Sequence, residues 1–252
     1  MNRSLRSVLL GLFLAVFAAG VGADIILTAR NLNASLKQMQ RLHSQLRDAA
    51  PSQRPAVLFH LVVTADDLAL LLTNEVLAHG MLQKGLIDLG IRRAAAVDVS
   101  ISWYPDKERY LYDGRAFRQY LDQAPKDPHA AECSFRLLQI AFFRPGGDDP
   151  LSLRAAAQRK RDFLQSYSGN KHAPQVGIML AIDYRDLWRR YRDAGDTANA
   201  GRYLQKTRQQ LQRVAADYPG ADEATIAGRL RQRVDAEAAG GAAAGAPGGK
   251  LQ

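Results

Sequence analysis

The chain of 252 residues contains one cysteine, Cys133, which excludes an intramolecular disulfide and a cysteine metal cluster. Its five histidines include no His-Glu-x-x-His pair or other metal-ligand spacing. The sequence also lacks a glycine-rich phosphate loop and a Gly-x-Ser-x-Gly nucleophile elbow. We therefore predict no metal site, no cofactor and no catalytic residue, and we expect a protein that is not an enzyme.

Positive charge is concentrated in the second half of the chain. The net charge is +9, and residues 151–235 hold sixteen Lys or Arg against nine Asp or Glu. A basic domain favours anionic partners. Helices with solvated arginine faces are the alternative explanation of the same composition.

Residues 1–23 have the pattern of an export signal. Arg3 and Arg6 precede an apolar run, Val8 to Ala19, and small residues at 21–23 provide a cleavage site. No cysteine follows the run, so the leader is not of the lipoprotein type. The pattern predicts a periplasmic protein, and export removes nucleic acid from the expected partners of the basic helices.

The same leader has a second interpretation as an uncleaved anchor. Val8 to Leu27 spans 20 residues with only Asp24 charged, which is just long enough to cross a bilayer. The protein would then be anchored in the inner membrane and face the periplasm. The bulk of the chain lies outside the cytoplasm in both cases.

Residues 24–49 are predicted to form a heptad helix. Apolar or tolerated residues step by four and three from Ile25 to Leu46, and nearly everything between them is polar. A seam this narrow is typical of a coiled coil. Two alternatives stay open: a homo-oligomer formed through residues 25–46, and a helix that lies on the core of its own chain.

Residues 56–104 form an apolar segment that we expect to be mainly helical. Thr64 to Asp67 has the pattern of a helix start, a cap followed by acidic residues. Val57 to Val63 is either a preceding helix or a buried strand. Alternation at 95–103 is typical of a short strand, whereas the flanking helices favour a helix there.

Residues 105–237 are predicted to be a helical-repeat domain, followed by a disordered, Gly/Ala-rich tail at 238–252. Gly195 suits the left-handed end of one helix, and either Asp196 or Thr197 can cap the next. Asp149 suits the cap of the helix that Pro150 starts. The expected helices are Lys107–Asp122, Pro128–Phe143, Pro150–Tyr167, a hairpin over 173–220, and Asp222–Glu237, whose apolar stripe is Ala227, Leu230 and Val234.

Three junctions share one pattern, an apolar helix end, a break and a small-residue helix start. They are Tyr120 to Glu132, Phe163 to Val176 and Val214 to Ala227, spaced by 40 to 50 residues as in paired helices. His129 and His172 occupy equivalent places in the first two, which favours a structural role for both. Such pairs bury their faces only against neighbouring pairs.

On these residues the chain resembles tetratricopeptide-type repeats. The best local matches are the Ala194-Gly195-Asp196 turn, the exit "DYPGADEA" from Asp217 and the exit "APKDPHAAE" from Ala124. The resemblance covers Asp106 to Asp235 and implies an all-α fold of stacked antiparallel helical hairpins. The Trp-Leu-Gly-Tyr spacing of a strict repeat is not met.

The order of leader, heptad helix, linker and repeats is similar to that of the periplasmic coiled-coil and repeat proteins of the Tol system. It is also similar to that of the repeat lipoproteins of outer-membrane protein assembly, whose lipid-bearing cysteine this chain lacks. These resemblances imply a scaffold or adaptor for protein partners of the cell envelope.

The best candidate for a partner-binding surface is the aromatic and arginine-rich part of the hairpin's first helix. Trp, Tyr and Arg are the residue types that dominate interface energetics. Packing of the tryptophan against the neighbouring hairpin is the structural alternative. The candidate residues are Tyr184, Arg185, Trp188, Arg189 and Arg192.

Overall fold

The computed structural model describes residues 27–143 and 149–244, with side chains described up to residue 240. These residues form nine α-helices and one two-stranded sheet, which confirms the predicted all-α class and its short strand. The predicted leader and tail residues 245–252 lie outside the described residues. The elements are α1 (Ala29–Asp48), α2 (Arg54–His79), α3 (Lys84–Ala95), β1 (Ile101–Tyr104), β2 (Arg109–Tyr112), α4 (Arg115–Gln123), α5 (Ala130–Phe143), α6 (Pro150–Ser166), α7 (Ala173–Asp193), α8 (Thr197–Asp217) and α9 (Asp222–Ala244).

Helix α1 packs inside the protein. Thr28 caps it, because its hydroxyl accepts the Asn31 N–H at 3.2 Å while the Asn31 side chain accepts the Thr28 N–H at 2.8 Å. Leu32, Leu36 and Met39 are buried against α2 and α3. The heptad seam is thus filled by the chain's own helices, the second of the two alternatives. An oligomer through residues 25–46 would have to use the exposed face of α1.

Helix α2 is the centre of the first half of the fold. It is the one helix among the described residues that is long and apolar enough to cross a membrane, with a mean hydropathy of 1.8, and 56% of its apolar window is buried inside the protein. Helices α1 and α4 and strand β2 pack around it. That burial is what a core helix shows.

The predicted helix start at Thr64 was wrong, because α2 runs through it without a break. The Thr64 hydroxyl donates to the His60 carbonyl at 2.8 Å, which satisfies it within the helix. Asp66 and Asp67 instead face Arg136 of α5, at 2.9 and 3.0 Å. Residues 57–63 are helical, so they form no strand.

Strands β1 and β2 form an antiparallel hairpin in which Ile101 lies opposite Tyr112. The turn between them contains Glu108 at φ 49°, a left-handed conformation. The hairpin docks on α2, where the Thr73 hydroxyl accepts the Tyr110 N–H at 2.9 Å. This hydrogen bond links residues 37 positions apart and gives the strand a fixed place in the core.

The predicted helix over 107–122 was therefore wrong in its first half. Arg109–Tyr112 is a strand, and it pairs with the strand that the alternation at 95–103 indicated. Helix α4 begins only at Arg115. Tyr110, Phe117 and Leu121 suggested one helix face, but Tyr110 belongs to the strand and Phe117 to the helix. Local periodicity cannot detect a tertiary partner.

The predicted hairpin of α7 and α8 is confirmed, with its turn chemistry. Gly195 has φ +76°, and the Asp196 side chain accepts the Asn199 N–H at 3.0 Å. Asp149 caps α6 in the same way, through the N–H groups of Leu151 and Ser152. Helix α9 buries the predicted stripe of Ala227, Leu230 and Val234 and continues to Ala244, past the expected start of the tail.

Three junctions between helices share one backbone hydrogen-bond pattern. In each, a residue at the helix end donates to the carbonyl four positions before it, and two further N–H groups, three and six positions later, each donate three residues back. The donors of the three junctions are Ala124, Asp127 and Ala130; Tyr167, Asn170 and Ala173; and Tyr218, Ala221 and Ala224. Different sequences thus repeat one local geometry at the ends of α4, α6 and α8.

The two junction histidines have equivalent stacking contacts. His129 stacks on Phe59 with 4.0 Å between ring centroids, and His172 stacks on Phe135 at 3.8 Å. His172 also contacts Glu132 through Nε2 at 2.7 Å. These contacts join the first junction to α2 and the second to α5.

Helix α5 connects two hydrophobic clusters. Cys133 and Ile140 belong to the first cluster, with α1–α4 and the sheet. Phe135 and Leu138 belong to the second, which α6–α9 complete. One helix therefore contributes opposite faces to two cores.

Helix α8 packs closely against Gly177 of α7. A Cβ there would lie 2.6 Å from Cγ2 of Val214, so we expect Gly177→Ala to lower the free energy of unfolding by about 1–3 kcal/mol. The matched control is Gly201→Ala on α8, where nothing lies within 4 Å and alanine should stabilise by up to about 1 kcal/mol. Urea unfolding measures both. Equal stabilisation by the two changes would contradict close packing at Gly177.

Candidate functional site

The five predicted partner-binding residues lie on α7, the central helix of the second cluster, which contacts α5, α6, α8 and α9. Tyr184, Arg185 and Trp188 are buried, with 6%, 5% and 3% exposure. The side chains of Arg189 and Arg192 are 25% and 37% exposed. Trp188 thus packs within the fold, and only the two outer arginines reach solvent.

The three predicted arginines converge on Glu237 of α9. Arg189 binds its carboxylate with two hydrogen bonds, from Nε at 2.7 Å and from Nη2 at 2.6 Å. Arg185 Nη2 lies 3.2 Å from Oε2, and Arg192 Nη1 lies 3.3 Å from Oε1. The Arg192 guanidinium also lies 5.2 Å from the centre of the Trp188 ring.

The electrostatics of this cluster favour an ionised Glu237. Burial alone would raise its pKa, but the hydrogen bonds and charges of Arg189 and Arg185 outweigh burial and lower it. Burial lowers the pKa of Arg185, and the neighbouring Arg189 charge acts in the same direction. The cluster therefore holds α9 against α7, so these arginines have a structural role within the chain.

Tyr184 turns to a different face, formed by α6, α7 and α8. We call Arg161, Tyr184, Tyr191, Tyr203 and Lys206 the tyrosine–lysine face. The rings of Tyr191 and Tyr203 stack at 5.5 Å, and Lys206 Nζ lies 5.0 Å from the Tyr203 ring centre and 5.6 Å from that of Tyr184. Arg161 Nη1 donates to the Tyr184 hydroxyl at 3.4 Å.

This face has cations without counter-charges. Burial lowers the pKa of Lys206, and the charges of Arg161 and Arg202 lower it further. Arg154 of α6 lies near Tyr203. Among the described residues, no salt bridge includes Arg154, Arg161, Arg202 or Lys206. Aromatic rings with unpaired cations are suited to binding carboxylates or other anions.

The sequence prediction missed this face because its residues are spread over three helices. Tyr203 and Lys206 are three positions apart on α8, and Arg154 and Arg161 are seven apart on α6, so each pair shares a helix face. That spacing is the only local signal. Because α6 and α8 both pack against α7, the two pairs of residues come together on one surface.

Over the described ranges, no group of three or more His, Cys, Asp or Glu residues is arranged to hold a metal ion. Cys133 is fully buried, and burial raises the pKa of its thiol to about 12. A thiol in that environment is a packing residue.

No protein-family model matches the chain, and no curated protein is significantly similar to it.

Proposed function

We propose that the protein is a non-enzymatic adaptor of the cell envelope, which binds a protein partner through the helical array α4–α9. The observation that carries the proposal is the tyrosine–lysine face, whose two cations lie beside three tyrosines and next to Arg154 and Arg202. Among the described residues, none of these four cations takes part in a salt bridge. The expected ligand is an acidic segment of the partner. Carboxylates would pair with Lys206 and Arg161. Tyr184 and Tyr203 are buried, so apolar side chains of the partner would contact Tyr191, which is partly exposed.

The repeated junction geometry supports a binding role for the array. Stacked helical pairs contact only their neighbours and present extended surfaces, which such proteins use to hold peptides or helices. We place the protein in the periplasm, either released after cleavage at residue 23 or held by Val8 to Leu27. N-terminal sequencing of the protein from cells separates the two forms, because a chain beginning at Asp24 has no anchor.

The double substitution Lys206→Ala with Arg161→Ala is expected to weaken binding of an acidic peptide by about tenfold or more, since it removes two charges from the contact. The probe is a fluorescent peptide of alternating glutamate and leucine, and anisotropy titration measures its affinity. The matched control is Arg213→Ala with Arg231→Ala, which makes the same charge change at exposed positions elsewhere.

Equal weakening by both double variants would reduce the effect to net charge and contradict a specific face. Heparin provides the second comparison. A protein that binds polyanions in general should bind heparin more tightly than the peptide, and its affinity for both should decrease as salt rises. In cells, a photo-crosslinking residue in place of Arg202 should trap a defined protein that the same residue in place of Arg213 does not.

A further inference from the structure

Three helix ends meet at one end of the first cluster. Helix α1 begins there and α2 ends there, because the Leu27 N–H contacts Oε2 of Glu75 at 3.3 Å. Helix α3 starts from the same end, after the short turn 80–83. The chain therefore enters the fold through the same end that carries the α2–α3 turn.

This end is where large apolar side chains are exposed. Leu77, Met81 and Leu82 are 47%, 48% and 84% exposed. Leu70, which lies about two turns before Leu77 on α2, is 39% exposed. Elsewhere among the described residues the one comparably exposed large apolar side chain is Leu151. A cluster at a turn tip marks an interaction surface more strongly than scattered single residues do.

The sequence that enters at this end is itself apolar. Val8 to Leu27 has the length and composition to cross a bilayer. Leu27 is fully buried beside Glu75, so the point where this segment reaches the fold is fixed. From Glu75 to the end of α2 at His79 the helical rise is about 6 Å, which brings the turn 80–83 near the lipid headgroups if the segment spans the membrane.

We propose that Leu77, Met81 and Leu82 contact the surface of the lipid bilayer in which the apolar residues from Val8 up to the buried Leu27 are retained as an anchor. Leucine and methionine side chains enter the boundary between headgroups and acyl chains, where amphipathic protein surfaces bind. Arg30 and Lys84 are exposed at the same end, and Lys84 pairs with Asp88 at 2.6 Å. The contact fixes the orientation of the fold on the membrane and is independent of what binds to the tyrosine–lysine face.

The test uses the full chain in vesicles of phosphatidylethanolamine and phosphatidylglycerol. Leu82→Cys carries an environment-sensitive nitrobenzoxadiazole label, and Leu151→Cys is the matched control, since both leucines are highly exposed. Cys133 is buried, so we expect it not to react with the label. Labelling of the unchanged chain is the control for this. We expect a several-fold rise and a blue shift of emission at position 82 only, with quenching by doxyl-labelled lipid.

Each alternative occupant of the surface gives a result that overturns the proposal. If the emission at position 82 is unchanged although the protein floats with the vesicles, the surface of Leu77, Met81 and Leu82 faces water. Blue-shifted emission without lipid quenching shows that residues 8–26 cover the turn. If the emission rises with protein density rather than with lipid, a second copy of the chain covers the surface. If N-terminal sequencing finds a chain that begins at Asp24, the protein has no anchor. Peptide binding at the tyrosine–lysine face is measured separately, so its failure is distinguishable from any of these.

Discussion

Lys160→Met is expected to lower the free energy of unfolding by about 3–5 kcal/mol at neutral pH, because it leaves the Asp183 carboxylate buried without a counter-charge. The side chains of Lys160 and Asp183 are only 3% and 8% exposed, and Nζ lies 2.5 Å from Oδ2. Lys160 also lies 5.4 Å from the centre of the Phe142 ring. The pair joins α6 to α7 inside the second cluster.

The double variant Lys160→Met with Asp183→Leu should recover most of this loss. Burial lowers the pKa of Lys160 and raises that of Asp183, which shows that each charge is costly to bury and is tolerated through the other. Replacing both with apolar side chains removes the desolvation cost together with the attraction. Urea denaturation of the two single variants and the double variant completes the cycle. A double variant that is less stable than both singles would contradict this account.

The single variant also has a predicted pH dependence. Without Lys160 the pKa of Asp183 stays raised by burial, so between its raised value and the ordinary value near 3.8 the folded state binds more protons than the unfolded state. Stability then decreases as pH rises through this window, and it increases as pH falls toward 4. The deficit relative to the unchanged chain should therefore be larger at pH 7 than at pH 5. The double variant lacks the carboxylate and should lose this dependence.

What the sequence predicted well is what local spacing determines. The four- and three-residue steps of α7 and α8, Gly195 between them and the Asp149 cap all depend on residues within a turn or two of each other. Strand β2 was missed because its place depends on Thr73, which lies 37 residues before Tyr110. The result is a correct fold class with one wrong helix.

The environment of the predicted site residues also depends on contacts at longer range. Trp188 and its arginines have the composition of an interface, but Glu237, about 45 to 52 residues further along, takes up their charge. Conversely, Lys206 is an ordinary lysine in the sequence, and only the assembly of α6, α7 and α8 places it over two tyrosine rings. Composition pointed to α7, whereas the helices packed against α7 determine which of its side chains are buried or paired.

Arg136→Met is expected to lower the free energy of unfolding by about 3 kcal/mol at neutral pH, because Arg136 pairs with carboxylates of two helices. Its guanidinium contacts Asp66 and Asp67 of α2 at 2.9 and 3.0 Å and Glu132 of its own helix at 2.8 Å. Since the Arg136 side chain is 19% exposed, water screens part of the loss, and we place the effect at the lower end of the range for buried pairs.

The effect of Arg136→Met should fade in acid. The hydrogen bond from His172 lowers the pKa of Glu132 to about 2, against the opposing effect of burial and with the help of Arg136. A carboxylate with a lowered folded pKa contributes stability above its ordinary value of 4.5 and loses it as pH falls toward 2. Burial raises the pKa of Asp66 to about 6, and the charge of Arg136 opposes this rise. The difference between the unchanged chain and the variant should therefore shrink already as pH falls toward 6, and shrink further below pH 4.5. Arg213→Met at an exposed position is the control, and it should change neither the midpoint nor its pH dependence.

The same variant tests whether the two clusters unfold together. One continuous polar chain crosses the helix that both clusters share, formed by Asp66 on α2, Arg136 and Glu132 on α5, and His172 at the junction before α7. Without Arg136 this chain is broken, and α2 loses its ionic contact with α5. We expect the urea transition followed by Trp103 in the first cluster to separate from that followed by Trp188 in the second, with single-tryptophan variants as probes. Coincident transitions in Arg136→Met would show that apolar packing on the two faces of α5 is sufficient to couple the cores.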